Sequence, residues 1–104
     1  MTAATVIAGG VGPDSHHYTN IASATTTTVK SGQGTLHRIV NNKKVASGVI
    51  TIYDNTAGSG TKIGTITNPG TLLNNSETYE YGVHFRTGLT IVTGAADDLT
   101  VVWD

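Results

Sequence analysis

Four histidines and seven carboxylates are the side chains of this 104-residue sequence best suited to acid–base or metal chemistry. His16 and His17 are adjacent, so on a strand they project to opposite faces. In an extended segment either could meet a metal ion. However, there is no cysteine, and no carboxylate stands at ligand spacing from the pair. A solvated polar pair or an intersubunit contact is the simpler expectation. His37 and His84 fall on outward positions of predicted strands, where a cross-strand polar partner is expected. No metal and no cofactor are expected on this basis.

The carboxylates are Asp14, Asp54, Glu77, Glu80, Asp97, Asp98 and Asp104. A glycosidase holds two such groups a few ångströms apart across a cleft. A hydrolase would have to draw that pair from Asp54, Asp97 and Asp98, and the spacing supplies no obvious couple. Asp97 and Asp98 sit together in a predicted loop, but they offer two ligands where calcium takes six or more oxygens. Turn chemistry is the expectation there. Gly58-Ser59-Gly60 lies between two strands, so no helix dipole stands behind its amides to hold a phosphate. No serine has a nucleophile-elbow context. Asn74-Asn75-Ser76 matches a glycosylation sequon, an accidental match if no secretory signal accompanies it. The chain is not expected to be an enzyme.

The background that must position these residues is poor in charge. Only 12% of residues are charged, about half the usual share, while 38% are hydrophobic and 13 are Gly. Thr, Asn and Ser fill the difference. β-Branched Thr suits a pleated surface, and no stretch has the composition of a good helix. The net charge of −1 gives no footprint for nucleic acid or an anionic membrane, so neither is expected as a partner. Residues 1–12 are apolar but lack the basic start of a signal peptide.

Periodicity predicts strand after strand from residue 21 onward. Residues 1–20 read as an extended arm, broken by three glycines and Pro13. Strands are predicted over 21–30, 35–41, 48–54 and 61–67. Their turns are Ser31-Gly32-Gln33-Gly34, Asn41-Asn42, a 55–60 loop and Asn68-Pro69-Gly70. Further on, Tyr79, Tyr81, Val83 and Phe85 share one face, with Glu80, Gly82, His84 and Arg86 opposite. Leu89 and Ile91 point inward on the next strand, as do Leu99, Val101 and Trp103 on the last. Seven strands, eight with the arm, at about ten-residue spacing predict an all-β fold. The expected form is an antiparallel β-sandwich, jelly roll or small barrel over 21–104 with the extended N-terminal arm over 1–20. The aromatics alternate with polar residues as core aromatics do. Tyr18 and Tyr53 fall off the core face and are the candidates for a binding surface.

The C-terminal part carries a further signal. Gly48-Val49-Ile50-Thr51-Ile52-Tyr53-Asp54 is followed by Thr78-Tyr79-Glu80-Tyr81-Gly82-Val83-His84-Phe85 and Gly88-Leu89-Thr90-Ile91. The chain closes with Thr93-Gly94-Ala95-Ala96-Asp97-Asp98-Leu99-Thr100-Val101-Val102-Trp103. Over 21–104 this resembles small virion structural proteins of tailed bacteriophages, including those of cyanobacterial hosts. The resemblance implies a capsid decoration or cement protein, often trimeric and jelly-roll-like, on the outer surface of the head. Its partners would then be the major capsid protein and two further copies of itself. On that reading the arm residues Val6, Ile7 and Val11, with Tyr18, make the capsid or subunit contact. The alternative is a receptor- or carbohydrate-binding head on a tail or fibre, using Tyr53, Asn55 and the loops over 55–60 and 68–75.

Overall fold

The computed structural model describes residues 16–104; the expected contact residues Val6, Ile7 and Val11 lie outside that span. Among the described residues the chain forms eight strands: β1 (His17–Ile21), β2 (Thr26–Ser31), β3 (Gly34–Lys43), β4 (Val49–Tyr53), β5 (Lys62–Thr67), β6 (Glu77–Phe85), β7 (Gly88–Thr93) and β8 (Asp98–Trp103). They make two four-stranded antiparallel sheets, in the orders β1-β8-β3-β6 and β2-β7-β4-β5. First therefore pairs with last, second with seventh, third with sixth and fourth with fifth. The expected β-sandwich is what the chain forms.

Two boundaries differ from expectation. Residues 17–20, assigned to the arm, are the body of β1 and pair with β8 from His17 opposite Trp103 to Ile21 opposite Leu99. The single strand expected over 21–30 is two, β1 and β2, which belong to different sheets. The chain crosses between them at residues 22–25, a corner without Gly or Pro. A distant hydroxyl holds it there: Thr93 Oγ1 donates to Ser23 O at 2.6 Å and accepts from Thr25 N–H at 3.0 Å.

Alternation sets the core. The first sheet contributes Ile21, Leu36, Ile39, Phe85, Leu99 and Val101 to it, and the second contributes Ile50, Ile52, Ile66, Leu89 and Ile91. Burying a side chain of this size stabilises by about 1.5–3 kcal/mol, so the two inner faces hold the sheets together. The outer face of β7 is covered as well. The loop after β4 folds back over it, so Thr90 is buried and its hydroxyl donates to Asn55 O at 2.8 Å.

Candidate functional site

At one end of the first sheet, β1, β8 and β3 lie side by side and bring three ligand-type side chains together. His17 pairs with Trp103, so His16 and Asp104 are one cross-strand step further on. On its other side Asp104 is fixed by β3. Its N–H donates to Thr35 O, and its carbonyl accepts from Thr35 N–H, both at 2.9 Å. His37 completes the group because β3 is irregular there. Leu36 pairs with Trp103 and Arg38 with Val102, which leaves His37 as an extra residue opposite β8. Such a bulge re-aims a side chain. Its signature is that Leu36 and Ile39, three residues apart rather than two, are both buried.

The resulting geometry is tight. His16 Nδ1–H donates to Asp104 Oδ2 at 2.9 Å, and His37 Nε2–H donates to the same oxygen at 2.8 Å. The two imidazoles stack with centroids 3.8 Å apart and 23° between their planes. The His16 and His37 side chains are only 19% and 23% exposed, whereas that of Asp104 is 47% exposed. The Asp104 carboxyl is held below the usual carboxylate range. The His37 hydrogen bond is the main cause and His16 adds to it, against some desolvation. Asp104 lies 88 residues from His16, so this partner is invisible at the local spacing that made metal binding look unsupported. The three-residue step from Leu36 to Ile39 is the one local signal that could have flagged His37.

The adjacent histidines do part to opposite faces. His17 stacks on Trp103, centroids 4.9 Å apart, on the inner side of the sheet edge. Trp103 Nε1–H donates to Thr19 Oγ1 at 3.0 Å, and Lys30 Nζ lies 5.7 Å from the indole centroid. His84 stays exposed on β6, opposite Thr35 of β3, and is not one of the converging donors. Tyr18 stands on the outer face of β1 and is 74% exposed. Tyr53, by contrast, is half-buried. The Asn55 side chain is committed to its own loop: Nδ2–H donates to Ser59 O at 2.7 Å, and Oδ1 accepts from Thr56 N–H at 2.9 Å.

A second polar cluster lies at the opposite end of β3 and β8, and it faces inward. Asp97, Asn41 and Asn68 are buried. Asn41 Nδ2–H and Asn68 Nδ2–H donate to Asp97 Oδ2 at 2.7 and 2.6 Å, and Val45 N–H reaches it at 3.3 Å. Asn68 Nδ2–H also donates to Val45 O at 2.9 Å. The cluster joins the β3–β4 connection, the end of β5 and the start of β8. The Oδ1 atoms of all three residues accept no hydrogen bond from the described residues.

The three acids weighed for hydrolysis therefore have separate engagements. Asp54 accepts the backbone N–H groups of Arg86, Thr87 and Gly88 at 2.8–3.4 Å, closing the β6–β7 turn. Asp97 ties the buried cluster, and Asp98 accepts from Asn20 Nδ2–H at 2.7 Å. No protein-family model, no curated protein and no solved structure matches the chain. Function rests on the geometry above.

Proposed function

We propose that this protein is a non-catalytic structural module, a decoration or cement subunit of a tailed-phage head that docks on the major capsid protein as a homotrimer. One observation carries the assembly reading. Among the described residues β1 is an edge strand with a single sheet neighbour, β8, and its outer face presents Tyr18, 74% exposed. An unpaired edge offers backbone donors and acceptors to another chain, and a neighbouring copy or capsomer could add a strand there. Two further points agree. We read the nested strand order, first with last through fourth with fifth, as a jelly roll, an architecture used by viral shells. The resemblance of residues 21–104 to phage virion proteins points the same way.

The test is immunogold electron microscopy of virions with an antibody against the chain. Label spread regularly over heads supports decoration, and absence from particles ends the reading. A truncation to probe the contact must stop at residue 15, because removing 17 and 18 would cut β1. The pair Tyr18→Ala and deletion of 1–15 should each weaken docking while the sheet signature in circular dichroism persists. A second reading, a carbohydrate-binding head, has one observation in its favour. Lys44 Nζ, donating to Asn74 Oδ1 at 2.9 Å and to Glu77 Oε1 at 2.6 Å, fixes the loop after β5 while Leu73 stays 96% exposed. Label confined to tail tips, with specific glycan-array binding lost in Leu73→Ser, would favour that reading.

A further inference from the structure

We propose that His16, His37 and Asp104 form a binding site for a divalent first-row transition ion of the Zn2+ type. The donor set is two imidazole nitrogens and one carboxylate oxygen, which such ions prefer. The donor atoms lie within 4.8 Å of one another. With bonds of about 2.1 Å, tetrahedral ligands sit roughly 3.4 Å apart, and both histidine nitrogens are already 2.8 and 2.9 Å from Asp104 Oδ2. Admitting an ion therefore needs the carboxylate to draw back by about half an ångström. Asp104 is the exposed member and can make that movement. On binding, the proton on His16 Nδ1 is exchanged through solvent for one on Nε2, and that on His37 Nε2 for one on Nδ1. Both rings then ligate as neutral imidazoles.

The three residues are not a chance surface gathering of acids. Each comes from a different chain segment, at adjoining strands of one sheet, and His37 is aimed by a β-bulge, a feature that recurs where sheets position functional side chains. The rings are pre-stacked and mostly covered, so little side-chain freedom is lost on binding. Three protein ligands leave a fourth position open to water or to a group from a neighbouring molecule. An ion here would clamp edge strand β1 to β8 and β3 at the point where the N-terminal segment joins the sheet. Because the ligands converge only in the fold, binding must raise stability.

The experiment uses the full, untagged chain. Zn2+ is titrated in competition with a chromophoric chelator, and Co2+ is added separately to read visible ligand-field bands. One ion per chain is expected, with a rise in melting temperature in Zn2+. His37→Ala and Asp104→Asn should each weaken binding at least about tenfold and remove the melting shift, while His84→Ala changes neither. Nuclear magnetic resonance should show the His16 and His37 ring signals moving on titration while those of His84 stay. If His37→Ala alone loses its fold, Asp104→Asn and the ring signals decide. No uptake, uptake unchanged in Asp104→Asn, or equal loss in His84→Ala overturns the site.

Discussion

Strands β3 and β8 carry a carboxylate cluster at each end, and the two clusters are built on one plan with opposite surroundings. In each, a single Oδ2 oxygen receives two side-chain N–H donors from elsewhere in the fold. At the inner end the donors are amides, the acid is Asp97, and all three residues are buried. At the outer end the donors are imidazoles, the acid is Asp104, and solvent reaches it. Amides cannot exchange their protons for a metal ion, whereas imidazoles can. The contrast separates a knot that holds the sandwich from a group free to take a ligand.

The largest effect should come from cutting the knot. Asp97→Ala leaves the Asn41 amide and Val45 N–H without this acceptor and Asn68 with Val45 O alone, and each stranded polar group costs about 1–3 kcal/mol. A loss of about 3 kcal/mol or more is expected in urea unfolding, a large fraction of the stability of a domain this size. A loss below about 1 kcal/mol would mean that the cluster is not the tie that the geometry describes.

The next effect enters the same cluster from the backbone. A Cβ at Gly48 would stand 2.7 Å from Asp97 Oδ1 and 3.1 Å from Val45 O. Gly48→Ala must therefore push the carboxylate off its donors, at a cost of about 1–3 kcal/mol. The double variant with Asp97→Ala should lose less than the sum, since the clash disappears with the carboxylate. Strict additivity would show that the strain lies elsewhere.

How much of this could be read from the chain depends on the range of the interaction that decides each part. β4, β6, β7 and β8 were legible because Ile50 and Ile52, the 79–85 alternation, and Leu99 with Val101 declare their inward faces locally. The β1–β2 corner was not, since Thr93 holds it from nearly 70 residues away and no glycine or proline marks it. A period-two reading sets His37 outward with a cross-strand polar partner, and Asp104 is that partner, but the bulge that brings His16 onto the same oxygen is not declared by alternation. The His16–Asp104 pairing follows only from first pairing with last, which is a property of the strand order. The Asp97 knot looked like a turn because its partners, Asn41 near the end of β3 and Asn68 just after β5, are far off in sequence.

A third carboxylate sharpens the comparison at intermediate size. Asp54 receives only backbone donors, and its carboxyl is held below the usual value of 3.8. The Thr87 amide is the main cause, Arg86 and Gly88 add to it, and His84 contributes by charge against some desolvation. A folded-state value lowered in this way stabilises the protein above the ordinary carboxylate range. That contribution is lost as pH falls through the depressed value. Asp54→Asn should therefore be less stable than the parent near neutrality, by about 1 kcal/mol or less because solvent screens the site. The two proteins should converge in acid. Parallel curves from pH 7 down to about pH 2 would remove Asp54 from the acid response.

The smallest effect falls on the outer cluster, and its smallness is informative. The backbone of Asp104 is already secured by its two hydrogen bonds to Thr35, so the side chain is not needed to hold β8 against β3. Its two histidine contacts are made at the surface through a half-exposed carboxylate, where such pairs contribute little. Asp104→Asn keeps the shape and one acceptor oxygen, and should move the melting temperature by less than about 2 °C in metal-free buffer. A fall as large as that of Asp97→Ala would make the outer cluster a second structural knot and erase the distinction between the two ends. A near-zero change would leave the Asp104 carboxylate without a role in the stability of the fold. The geometry that brings His16, His37 and Asp104 together would then have its explanation in what the three can bind.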